Sequence, residues 1–239
     1  MTRRKRRSRS LARRWVRRLV LLTLAVFVGY QVWVFVHVAW WVDHNPTTTA
    51  FIQERLKTLR AEHAHVPIRQ RWVAYGNISD NLKRAVIAAE DATFVYHDGF
   101  AWGGIEQALL RDVRAGHIVA GGSTISQQLA KNLFLSPERT LWRKGEEALI
   151  TLMLEGMMSK QRILEIYLNV IEWGNGLYGA SAAAHYYYHV DCDRLTPDQA
   201  ARLAAMIPDP RYFQTHPHNQ DLIGATTIIR DRMNEVRIP

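Results

Sequence analysis

The sequence predicts a mainly α-helical domain behind one N-terminal membrane-spanning helix. Three observations carry this. Leu19 to Val42 is a run of 24 residues without a formal charge. Beyond it, apolar residues recur at helical spacing through most of the chain, with Ser, Thr and Pro at the helix starts. Strand alternation is scarce, and no internal repeat is found.

The apolar run comes first. At about 1.5 Å per residue it reaches about 36 Å, enough to cross a hydrocarbon core of about 30 Å with some tilt. Trp33, Trp40 and Trp41 crowd its C-terminal half, as in an interfacial aromatic belt. A cleaved signal peptide fits less well, because the run is long and Trp40-Trp41 stands where small residues mark a cleavage site. Residues 1–18 form a basic tail with ten Lys or Arg and no acid, which keeps the N-terminus cytoplasmic. The sequence thus divides into a tail (1–18), a transmembrane helix (19–42), a linker and connector (43–77) and a folded domain (78–239).

Residues 50–63 read as a helix with Phe51, Ile52, Leu56 and Leu59 on one face. Residues 66–78 resist assignment and suit an extended connector. Ser79 caps a helix to about Ala89, and a further helix spans Gly103 to Ala115 with Ile105, Ala108, Leu109 and Val113 inward. Thr124 to Phe134 is next. Arg139 to Met158 turns apolar nearly all round after Ala148, the pattern of a helix at the centre of a domain. Ser159 caps Lys160 to Val170. Residues 173–179 hold three glycines and read as loop, followed by a helix at about 177–187. Thr196-Pro197-Asp198-Gln199 is a capping box with proline at the first helical position. That helix runs to Ile207, where Pro208 and Pro210 stop it, and a last helix covers about 219–235.

Charge and cysteine content narrow the function. The chain of 239 residues carries a net charge of +9, and removing the ten charges of the tail leaves the rest at −1. The high basicity therefore belongs to the membrane-proximal tail and gives no argument for nucleic acid. Cys192 is the only cysteine, so no intramolecular disulfide and no Cys/His metal cluster is available.

Three polar segments interrupt this helical pattern. Glu90-Asp91 ends a helix, where two acids oppose the macrodipole; a carboxylate near apolar neighbours such as Phe94 has the environment of a general base. Taken alone, a solvated acidic pair accounts for it too. Gly121-Gly122-Ser123-Thr124 opens a helix bearing Gln127, Gln128, Lys131 and Asn132, and unpaired amides at a helix start backed by a cation suit a phosphate group. Arg143, Lys144 and Glu147 share a helix, with 143 and 147 one turn apart at the edge of the apolar stretch. By itself that spacing also describes a surface ion pair.

In order, these segments resemble the glycosyltransferase family that polymerises peptidoglycan glycan strands from lipid II, which includes the transglycosylase domains of bifunctional penicillin-binding proteins. The matching motifs are Glu-Asp-x-x-Phe-x-x-His-x-Gly at 90–99, Gly-Gly-Ser-Thr-Ile-Ser-Gln-Gln-Leu-Ala-Lys-Asn at 121–132, Arg-Lys-x-x-Glu at 143–147 and Ser-Lys-x-x-Ile-Leu-x-x-Tyr-Leu-Asn at 159–169. The glycine-rich stretch from Gly174 to Gly179 also fits. The resemblance runs from about Ile78 to about Pro210. Departures at Ala92-Thr93, at Ala101 and in the connector at 72–77 touch loop geometry and remove no presumed catalytic group.

The resemblance implies a lysozyme-like helical fold and the transfer of an undecaprenyl-pyrophosphate-linked glycan to the 4-hydroxyl of lipid II, forming a β-1,4 bond with inversion. Glu90 matches the general base and Glu147 the second essential carboxylate. Lys131 and Arg143 match the cations on the donor pyrophosphate. Ser123, Thr124, Gln128, Asn132, Lys144 and His97 are the further pocket residues. No cofactor is required, although a divalent cation (Mg or Mn) assists the pyrophosphate in some members. An apolar surface near 102–120, with Trp102, Ile118 and Val119, is expected to meet the bilayer. The expected place is the bacterial inner membrane, single-pass, with the catalytic domain periplasmic. The expected partners are membrane lipids and a penicillin-binding transpeptidase or divisome proteins. A chain without Ser-x-x-Lys or Lys-Thr-Gly is expected to be monofunctional. Two other readings compete, a lytic muramidase of lysozyme type and a non-catalytic cell-wall scaffold. The phosphate-binding residues argue against the first, and retention of both Glu90 and Glu147 against the second.

Overall fold

The computed structural model describes residues 2–62, 66–101, 122–138 and 140–239. The expected helix at 103–115, the apolar positions Trp102, Ile118 and Val119, and Gly121 lie outside the described residues. The chain forms two compact units, residues 1–41 and 42–239.

The first unit is a single helix, α1 (Thr2–Trp41). Its stretch Arg13–Trp41 is long and apolar enough to cross a membrane. The helix begins well before the apolar run, because the tail holds no proline or glycine to break it.

The second unit is built from α2 (Ala50–Ala61), β1 (Arg69–Gln70), α3 (Asp80–Glu90), α4 (Ile125–Phe134), α5 (Leu141–Met157), α6 (Lys160–Val170), β2 (Glu172–Gly174), β3 (Leu177–Tyr178), α7 (Ala180–Tyr188), α8 (Pro197–Met206), α9 (Pro210–Thr215) and α10 (Gln220–Arg232). Side-chain oxygens cap most of the helices. Thr49, Ser79, Thr140 and Ser159 each accept a first-turn amide, and Thr124 and Thr196 form full capping boxes with Gln127 and Gln199. Each such cap is worth about 1 kcal/mol.

Two packed groups make the core. In one, α8 lies against α3 and α10; in the other, α4 lies against α5 and α6. The central helix is α6. Ile163, Leu164, Ile166, Tyr167, Leu168, Asn169 and Val170 are all buried, so it meets neighbours on nearly every side. This corrects the expectation that α5 is central. That helix buries only Glu147, Ile150, Thr151 and Leu154, while Leu149 and Leu152 are exposed. Its apolar composition therefore does not reflect burial on all sides.

The connector and the glycine-rich stretch also differ from expectation. Residues 69–70 form an edge strand parallel to β3, and β2 pairs antiparallel with β3 in the order β1-β3-β2. Asn169 ties the connector to α6: its side chain accepts from the Val73 amide (2.8 Å) and donates to the Val73 carbonyl (2.9 Å). Gly179 (φ +82°) sits where a Cβ would lie 2.8 Å from the Asn169 carbonyl oxygen, so only glycine lets the hairpin approach α6. Pro210 does not merely stop α8; it opens the short helix α9 behind the Asp209 cap.

Candidate active site

Glu90 is the last residue of α3 and Asp91 its C-cap, and the two carboxylates part company there. Glu90 is half-buried and accepts a hydrogen bond from the Gln128 side-chain amide of α4 (2.6 Å). The Gln128 carbonyl oxygen in turn accepts from the hydroxyl of Tyr167 (2.8 Å), which is fully buried on α6. Burial pushes the Glu90 carboxyl above its ordinary value of 4.5; the Gln128 bond pulls it down, and the neighbouring Asp91 charge pushes it up again.

Asp91 turns inward. It accepts from the Ile125 amide at the start of α4 (3.1 Å) and from His97 Nε2 (3.0 Å). A carboxylate at that helix N-terminus is electrostatically favoured. His97 Nδ1 accepts from the Gly99 amide (3.1 Å), which leaves Nε2 as the nitrogen facing Asp91. Both ring nitrogens are thus spent inside the domain. His97 braces the turn at 97–99.

Thr124 is likewise internal. Its hydroxyl donates to the Gly99 carbonyl (2.7 Å) while capping α4, and the residue is buried. It positions the helix start. Gly99 itself (φ +89°) presses against α5, where an added Cβ would lie 2.7 Å from Thr151 Cγ2.

The second carboxylate has a different setting. Glu147, 2% exposed, gives one oxygen to Arg143 Nη1 (2.9 Å) and the other to Lys144 Nζ. Arg143 Nε is buried with no hydrogen-bond partner among the described residues. Lys144 Nζ also reaches Ser123 Oγ (3.2 Å), and the Ser123 carbonyl lies 3.4 Å from the Gln128 amide nitrogen. One hydrogen-bonded path therefore runs from Glu90 through Gln128, Ser123 and Lys144 to Glu147 and Arg143. Six of the expected site residues meet in this network.

The remaining two, Lys131 and Asn132, sit further along α4. The Lys131 ammonium lies 5.3 Å from the Phe51 ring centroid. Asn132 donates back to the Gln128 backbone carbonyl (2.8 Å). Among the described residues no group of three or more His, Cys, Asp or Glu is arranged to hold a metal ion.

Four contributors went unassigned in the sequence. Tyr167 orients Gln128. Glu155 accepts from Ser126 and from Lys160 (2.7 Å), joining α5, α4 and α6 beneath the Gly99 turn. Tyr167, Ser126 and Lys160 all fall inside the motifs at 121–132 and 159–169. Glu155 announces itself as a carboxylate interrupting an apolar run.

A family model described as Transglycosylase matches residues 57–234. The biosynthetic peptidoglycan transglycosylase of Laribacter hongkongensis is 55% identical over 226 residues, covering 95% of this chain and 99% of that protein. Those of Methylobacillus flagellatus and Chromobacterium violaceum are 56% identical over 220 residues and 54% over 216, covering 92% and 90% of this chain and 96% and 95% of theirs.

Proposed function

The chain belongs to the transglycosylase family, and we propose from that premise that it is a peptidoglycan glycosyltransferase in which Glu90 is the general base. Its fold is the mainly helical, lysozyme-like one that the family implies. The single observation that carries the assignment of roles is the path joining Glu90 to the Arg143–Lys144–Glu147 cluster through Gln128 and Ser123.

The substrate is lipid II together with an undecaprenyl-pyrophosphate-linked glycan. Glu90 takes the proton of the acceptor 4-hydroxyl as its oxygen attacks the donor anomeric carbon. The diphosphate leaves from the opposite face, and the β-1,4 bond forms with inversion. A raised carboxyl is the better base at neutral pH, and general-base help is typically worth about 10²–10⁴-fold. The departing diphosphate needs fixed positive charge. Arg143 and Lys144 supply it beside Ser123, with Arg143 Nε, unpartnered among the described residues, as a donor for a phosphate oxygen. Glu147 holds both cations in place from beneath. Lys131 adds a further charge along α4.

With both Glu147 oxygens engaged and one Glu90 oxygen on Gln128, the carboxylates make no ready cage for a divalent cation. Magnesium or manganese, where used, would arrive on the diphosphate. The apolar stretch of α1 makes it a candidate membrane anchor. The basic tail supports a cytoplasmic N-terminus, with the catalytic domain on the periplasmic side of the inner membrane.

Labelled lipid II in detergent tests the reading. The wild-type chain should make polymer, and moenomycin should stop it. Glu90→Gln should lose polymer formation by about 10²-fold or more while remaining folded. Wild-type turnover in that variant would remove Glu90 from the mechanism.

A further inference from the structure

A cavity of about 310 Å³ lies between β1 and α7 and is lined by none of the active-site elements. Its wall carries Arg69, Arg71, His185 and Ser181, with the apolar groups of Ile68 and Tyr186 beside them. We propose that this cavity is a second site, one that holds a carboxylate of an extended acidic peptide such as the peptide arms of the nascent strand. The peptide's identity rests on the reading above; the binding itself does not.

Three features support an anion there. First, neither arginine has a carboxylate within ion-pair distance among the described residues. Several cations elsewhere in the domain meet acids, as Lys160 does Glu155, Arg162 Glu165 and Arg230 Asp198, while Arg55 and Arg84 are taken up by the Asn175 side chain and the Val236 carbonyl. The Arg69 guanidinium instead lies 5.7 Å from the Tyr186 ring centroid, an arrangement that leaves its forked edge open to a carboxylate. Second, α7 starts at Gly179 with no side-chain cap, and its first-turn residues Ser181 and Ala182 face the cavity. The positive end of that helix adds to the two guanidiniums. Third, β1 is an edge strand of the sheet, paired among the described residues with β3 alone. An extended chain laid along such an edge finds main-chain hydrogen bonds there, with flanking side chains reading its charges. This last feature selects a peptide over a free phosphate.

The proposal is tested on the full chain in detergent by calorimetry with a short acidic peptide bearing a free C-terminal carboxylate. Its fully amidated, neutral counterpart and inorganic phosphate serve as parallel probes. Saturable binding of the acidic peptide is expected. It should weaken about tenfold or more in Arg69→Ala/Arg71→Ala and by less in Arg69→Lys/Arg71→Lys, which keeps charge and loses the fork. Unchanged melting of both variants excludes a folding defect. The same binding is expected in Glu90→Gln, so failure of the catalytic assignment leaves this test intact. The proposal is overturned by equal binding of the neutral peptide, by phosphate binding as tightly with the same arginine dependence, or by no saturable binding.

Discussion

Two glutamates in one network have been given opposite surroundings. Glu90 is half-buried at a helix end with one neutral amide donor, and burial pushes its carboxyl up. Glu147 is fully buried, and both its oxygens are met by cations. A carboxylate short of partners suits proton abstraction, whereas one saturated by Arg143 and Lys144 suits holding charge in place. Environment, more than residue type, separates the two roles.

The sharpest way to break this contrast is to neutralise each carboxylate in turn. Glu147→Gln should both stop polymerisation and destabilise the domain, because Arg143 is left as a buried, uncompensated charge. Losing one partner of a buried pair costs about 3–5 kcal/mol, and the half-exposed Lys144 places this case at the lower end. Thermal melting should show a clear fall. Glu90→Gln should lose activity without that fall. Equal melting losses in the two variants would erase the distinction.

Backbone geometry beneath the site gives the next effect. Gly99→Ala meets both a left-handed φ of +89° and Thr151 Cγ2 at 2.7 Å, so a loss of about 2 kcal/mol or more is expected in denaturant titration. An unchanged midpoint would mean that the turn relaxes freely, and that His97 and Thr124 are not held by it.

Smaller effects follow from the hydrogen-bond chain. Gln128→Leu removes the one contact that lowers the Glu90 carboxyl, so the acid limb of the rate profile should move to higher pH. Tyr167→Phe loses only the bond that orients Gln128; it should shift the limb the same way by less, with a stability cost of about 1 kcal/mol.

The least effect expected is a gain in stability. A carboxyl raised in the folded state favours folding less as pH rises from the unfolded value through the folded one. Glu90→Gln should therefore melt slightly higher than the wild type at pH 8, with the difference fading by about pH 4.

Local features of the fold were legible, and relations across the chain were not. The caps at Ser79, Thr124, Ser159 and Thr196 stand in the sequence because a cap involves residues two or three apart. The apolar composition of α5 misled, because periodicity cannot distinguish a helix buried on all sides from one whose second apolar face, with Leu149 and Leu152, is exposed. The division of labour between Glu90 and Asp91 was hidden for another reason. Their deciding partners, Gln128 and Ile125, lie more than thirty residues away. His97 matched the motif, yet its two neighbours Asp91 and Gly99 absorb both nitrogens, and only coordinates reveal that.

The most direct test is the pH dependence of kcat/KM for lipid II polymerisation in the wild type and in Glu90→Gln. The wild type should show an acid limb with its midpoint above the ordinary glutamate value of 4.5, and the residual activity of the variant should lack that limb. A limb of the same midpoint in Glu90→Gln would assign the essential proton acceptor to another group.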